Sequence, residues 1–189
     1  MSGPVHKRRL SRGRRFLRLL AGVFDPRAWA HLLKVVNYYN YSHVAELRLA
    51  QVDATANISP TASFACARNL QIGARTTIGA GCHLWAGPGV AKITVGDDTI
   101  FGPDVMVTAA SYRYADGAPV TQQAMDEAPV VIGPDCWIGR GATILAGTSL
   151  GAGCIVGANA VVRGSFPPYS IVAGVPARIV GTRRIDARD

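Results

Sequence analysis

Aromatic side chains make up only 7% of the chain, the four cysteines form no C-x-x-C pair, and acidic residues are almost missing from the first 34 positions. Each shortage excludes something. With few aromatics and 21 Gly among 189 residues, thin repetitive layers fit better than a thick sandwich core. Without paired cysteines, neither a zinc site nor a secreted disulfide framework is indicated. The apolar stretch 16–24 is broken by Arg18 and too short to span a bilayer, and no A-x-A-type cleavage site follows it. No G-x-x-x-x-G-K-[ST] phrase occurs, so no nucleotide triphosphate is implied. The scarcity of acid leaves nine Lys/Arg against Asp25 alone in residues 1–34, a local charge of +8. The other 155 residues carry eleven charges of each sign, so the basicity belongs to an N-terminal arm. No aromatic-basic platform accompanies it, and nucleic acid is not an expected partner.

What the chain has in abundance is a period of six. Ile132, Ile138, Ile144, Leu150, Val156 and Val162 are branched aliphatics, each six residues after the last. A Gly follows at Gly133, Gly139, Gly151 and Gly157, and a small or thiol side chain comes four after the aliphatic at Cys136, Ala142, Thr148, Cys154 and Ala160. No helix has this period, and a simple strand alternates in twos. Short strand, turn, short strand, with the aliphatic facing one interior, is a hexapeptide-repeat parallel β-helix whose rungs bury their faces by stacking. Three sixes make a turn, so residues eighteen apart stack at about 4.8 Å. The same register runs through Ile72, Ile78 and Leu84, then Val95, Phe101 and Val107.

The fold class expected is all-β, with an N-terminal helical arm and connector over 1–57 and the β-helix domain over 58–189. Two interruptions divide the coil, 88–92 and 111–129, the second a protruding loop. Asp25-Pro26 starts a helix, and Trp29, Leu32, Leu33 and Val36 share one of its faces. Two roles remain open for residues 1–34, and they are not exclusive: capping the coil or an oligomer contact, and a basic amphipathic contact with an anionic membrane surface. The coil is expected to end near Val162, and Cys82, Cys136 and Cys154 are read as core packing with no metal bound.

Ile132-Gly133-Pro134-Asp135-Cys136-Trp137-Ile138-Gly139, together with Ile171-Val172-Ala173-Gly174-Val175-Pro176-Ala177-Arg178, resembles the hexapeptide-repeat O-acetyltransferases of sugars, galactosides and exopolysaccharides. The resemblance spans roughly 58–181. It implies a left-handed β-helix, a homotrimer, and acetyl-CoA as acyl donor in the groove between subunits. The implied reaction is acetylation of a sugar hydroxyl on a cell-surface polysaccharide or related glycoconjugate precursor, in the cytoplasm or at the inner membrane face.

In that family a His in the long loop takes the proton from the acceptor hydroxyl. The matching position is Tyr112, within Ser111-Tyr112-Arg113-Tyr114-Ala115-Asp116-Gly117. A phenol with a reference pKa of about 10 is a poor base near pH 7. Another group then serves as base, the mechanism is altered, or the chain is a non-catalytic trimeric scaffold that binds CoA. His83, expected to face outward beside the first interruption, is the alternative base; Tyr112 orients the acceptor. The resemblance places Trp137 at the acceptor; Asp116, a polar candidate in the long loop that also suits an Asp-Gly turn, and Trp85 are further acceptor-binding candidates. The resemblance also places Arg140, Ala146, Ala158, Arg163, Arg178 and Arg183 at CoA, where forked guanidinium groups suit phosphates.

Overall fold

The computed structural model describes residues 10–184, in two units divided between Tyr39 and Asn40. Arg188 and the basic residues 7–9 lie outside the described residues.

The first unit is a helix pair. α1, Arg12–Val23, begins at Ser11, whose hydroxyl accepts from the Arg14 N–H. α2, Pro26–Tyr39, begins as Asp25-Pro26 predicts, with the Asp25 carboxylate accepting from the Arg27 N–H at 2.9 Å. Neither helix buries a residue.

The second unit is the coil. Its first face stacks 51–52, 70–72, 93–95, 130–132, 149–150 and 165–166 in parallel. The second stacks 57–58, 77–78, 100–101, 137–138, 155–156 and 170–174, and closes with the antiparallel strand 177–182. The third stacks 63–65, 83–85, 106–108, 143–144 and 161–162. The coil therefore starts at Gln51, before the start at 58 read from the sixes. It also continues past Val162: Phe166 pairs with Leu150 and Val172 with Val156, one further partial turn. The prolines at 167 and 168 sit at a corner, where no ladder N–H is needed.

Register follows the interruptions. Residues 131 and 149 stack at the regular spacing of eighteen. Gln71 stacks on Thr94, twenty-three away, because 88–92 is extra, and Thr94 stacks on Val131 because 111–129 is extra. The two-residue slip in the first turn is a short 3-10 segment, Ala67–Asn69. Each insertion leaves at a corner, so the inward aliphatics keep their column.

The core is that column of stacked branched chains. Ile72, Val95, Ile132 and Leu150 on one face, Ile78, Phe101, Ile138 and Val156 on the next, and Leu84, Val107, Ile144 and Val162 on the third are all essentially inaccessible. Each fully buried chain contributes about 1.5–3 kcal/mol relative to exposure. The Gly that follows the inward side chain on the first two faces has a steric cause: a Cβ on Gly139 would lie 2.7 Å from the Ala158 backbone nitrogen of the next rung. The position four after the aliphatic does more than fill space. The Thr76 and Thr99 hydroxyls and the Cys136 and Cys154 thiols each donate to a carbonyl of the following rung, on Gly96, Gly133, Gly151 and Pro167. Thr and Cys both serve there because both are small donors. Residues 40–47 cover the open first rung, with the His43 ring 5.8 Å from Phe64 and Glu46 accepting from the Ala67 N–H at 2.7 Å.

Candidate functional site

The long interruption is an antiparallel hairpin that leaves the coil after Ala109. Ala110–Tyr112 pairs with Met125–Glu127, Tyr112 opposite Met125. The ladder extends through the Arg113 N–H to the Ala124 carbonyl. Gln123, nearly buried, pins the far loop by donating to the Ala118 carbonyl and accepting from the Asp116 N–H. Arg113 bonds Asp126 across the hairpin at 2.6 Å, which raises the guanidinium pKa further; both side chains are exposed.

Between this hairpin and the third face of the coil lies a cleft of about 620 Å³, a size ordinary for a small-molecule site. Thr108, Leu145 and Arg163 line its floor, and 110–116 with 126–128 form its wall. Four of the residues singled out in the sequence meet here: Tyr112, Asp116, Ala146 and Arg163. The Tyr112 hydroxyl and the Arg163 guanidinium have no protein partner among the described residues, so both are available to a ligand.

His83 lies outside the cleft lining but on the same outer face. It is two residues along the strand from Trp85, which pairs with the cleft residue Thr108. The side chain is half-buried, as burial of its rung requires, and desolvation lowers its pKa and favours neutral imidazole. Its Nδ1 meets the Ser63 hydroxyl at 2.8 Å in the preceding rung. With Nδ1–H donating to that oxygen, Nε2 keeps a lone pair.

The remaining residues lie elsewhere in the chain. Trp137 is 56% exposed on the outer face of the second sheet, between Ile100 and Ile155. Arg140 pairs with Asp104 at 3.1 Å, also on that side of the coil. Ala158 is exposed at a corner. Arg178 bonds its own strand, through the Ala177 carbonyl. Arg183 clasps Asp135, through the carboxylate at 2.8 Å and the carbonyl at 3.0 Å. One chain thus brings together four of the eleven residues. No group of three or more His, Cys, Asp or Glu is placed to hold a metal ion among the described residues.

Glu127 was not singled out in the sequence. It lines the cleft, and its carboxylate accepts from the N–H groups of Gly89, Val90 and Ala91 at 2.6, 2.9 and 3.2 Å, so its pKa is lowered. The signal was present in outline: an acid closing one insertion, and a Gly-Pro-Gly phrase in the other. The partnership crosses 38 residues and was not readable from spacing.

A family model described as bacterial transferase hexapeptide (six repeats) matches residues 129–164. Nodulation protein L of Rhizobium meliloti is 37% identical over 134 residues, covering 70% of each chain. An Escherichia coli protein named for lipopolysaccharide biosynthesis O-acetyl transfer is 37% identical over 99 residues, covering 48% of this chain and 50% of its own. The chain spans half or less of the length of that relative and of a mycobacterial one. In three dimensions, a hexapeptide-repeat acetyltransferase of Vibrio cholerae, solved with acetyl coenzyme A, superposes with a TM-score of 0.65 at 26% identity, over 78% of this chain and 82% of that one. The coil is accordingly a left-handed β-helix, and the chain belongs to the hexapeptide-repeat O-acetyltransferase family.

Proposed function

We propose that the chain is an acetyl-CoA-dependent O-acetyltransferase acting on a sugar hydroxyl of a cell-surface polysaccharide or its lipid-linked precursor. The observation that carries this reading is the cleft itself, where an unpartnered phenol and an unpartnered guanidinium face a space of small-molecule size, with His83, its pKa lowered by burial, on the same outer face of the coil. The acetyl-CoA bound to the Vibrio cholerae relative supports the donor.

In this reading the acceptor hydroxyl lies between Tyr112, which orients it by hydrogen bonding, and His83, whose Nε2 takes its proton. The hydroxyl oxygen attacks the thioester carbonyl, the C–S bond breaks, and the thiolate of CoA leaves with the proton returned by the imidazolium. A base matched to working pH is worth about 10²–10⁴-fold, and alignment of the two substrates supplies much of the rest. Arg163 meets a CoA phosphate, and Ala146 lines the pantetheine path. Trp85 and Asp116 border the sugar.

The other proposed residues, Trp137, Arg140, Ala158, Arg178 and Arg183, join the site from a neighbouring copy in a homotrimer. The work is cytoplasmic, where acetyl-CoA is supplied. A second reading, a CoA-binding trimer without turnover, draws its support from Tyr112 standing where the family's His is expected.

Calorimetric titration with acetyl-CoA tests the proposal, with thiol release in the presence of sugar acceptors as the companion assay. Saturable binding and acceptor-dependent thiol release are expected. Binding without release selects the second reading, and no binding at millimolar ligand removes both.

A further inference from the structure

The helix pair carries two apolar stripes, and among the described residues no side chain of either helix is buried. In α1, Phe16, Leu19, Leu20 and Val23 fall at i, i+3, i+4 and i+7, one face of a 3.6-residue helix. In α2, Trp29, Leu32, Leu33 and Val36 repeat the same spacing. All eight side chains are exposed, from 39% at Leu20 to 70% at Leu33, and Phe24 at the joint is 79% exposed. Opposite the stripes stand Arg14 and Arg18 on α1, with Arg15 on the flank, and Arg27 and Lys34 on α2. The one acid, Asp25, is used in capping. The two helices are tied at their joint, where the Trp29 indole N–H donates to the Val23 carbonyl at 2.7 Å.

The occupant must supply an apolar phase and negative charge together. A second copy of the arm supplies the first but opposes +8 with +8. The neutral remainder of the chain offers no net negative charge. An anionic lipid surface supplies both, with acyl chains for the stripes and headgroups for the guanidinium groups. Helices of 12 and 14 residues are about 18 and 21 Å long, short of a roughly 30 Å hydrocarbon core, so they lie in the interface plane. We propose that residues 12–36 form an in-plane amphipathic dock for anionic membranes. The dock stands on the arm alone and is independent of acyl transfer.

The test is flotation of the full chain with vesicles of phosphatidylcholine alone or with 30% phosphatidylglycerol. Binding is expected with the anionic vesicles only, weakening steeply as salt rises. Reversing Arg14, Arg15 and Arg18 to Glu is expected to lower partitioning by roughly a hundredfold or more, at about one basic side chain's headgroup attraction for each charge removed. Phe16→Ser with Leu20→Ser is expected to release the chain with its thermal midpoint retained, because those residues support no core. Equal binding to neutral vesicles, no binding, or binding unmoved by both variants overturns the proposal. So does vesicle indifference with a light-scattering mass that falls in the Phe16→Ser, Leu20→Ser variant, which assigns the stripes to a second copy.

Discussion

The Glu127 carboxylate accepts the Gly89 backbone N–H at 2.6 Å, and through this contact the two interruptions of the coil hold one another. The second oxygen takes Val90 and Ala91. Gly87 and Gly89 make room for it: a Cβ on either would fall within 3 Å of the carboxylate, and Gly87 also sits at φ +85°. The cleft wall and the 88–92 turn are therefore one mechanical unit.

Glu127→Ala is expected to loosen both segments, lower the thermal midpoint, and expose 87–91 to protease, with Glu127→Gln between the two. The N–H groups lower the carboxylate pKa, so this contribution is present above the ordinary Glu range and is lost as pH falls through the depressed value. The difference in midpoint between wild type and Glu127→Ala should shrink below about pH 4. A difference independent of pH removes the ionised carboxylate as its source.

His83→Ala is expected to lower turnover by about 10²-fold or more while acetyl-CoA affinity in calorimetry stays near wild type. Burial lowers the His83 pKa, so the acidic limb of kcat/KM should lie below about pH 6.5, with activity holding from neutral pH down past that value before it declines. Ser63→Ala should shift that limb, because it frees Nδ1 and the ring's tautomer. Unchanged turnover in His83→Ala would take His83 out of the chemistry.

Tyr112→Phe should raise the acceptor KM about 2–10-fold, the loss of one neutral hydrogen bond, with CoA binding intact. Arg163→Ala should do the reverse, weakening CoA and sparing the acceptor KM. Identical profiles for the two variants would contradict separate roles.

Trp137 and Ile138 are neighbours on opposite sides of one strand, 56% and 0% exposed. Ile138→Ala, between Phe101 and Val156, should cost about 2–5 kcal/mol in denaturant unfolding. Trp137→Ala should stay within about 0.5 kcal/mol while impairing transfer. A large stability loss at Trp137 would recast it as packing.

Cys82, Cys136 and Cys154 are buried donors, and desolvation pushes the Cys136 thiol up to about 11. At pH 8 in the native protein, a maleimide should label Cys66, which is half-buried, well ahead of the other three. Uniform labelling of all four would mean that the corners open.

The six-residue period determined the coil, its inward columns and the two insertions, because stacking on a triangular prism depends only on local spacing. Ile138 and Leu150 were legible for that reason. So was the start of α2, since capping by Asp25 is a contact over two residues. The slip of the coil's ends, back to Gln51 and on to Val172, was not legible, since terminal rungs are held by their neighbours more than by their own pattern. The site was partly legible: Tyr112, Asp116, Ala146 and Arg163 came together, while Glu127 and Ser63 stayed hidden. The Glu127–Gly89 and Ser63–His83 contacts join residues 38 and 20 apart, and only the stacking of rungs, lengthened by each insertion, decides which side chains meet there.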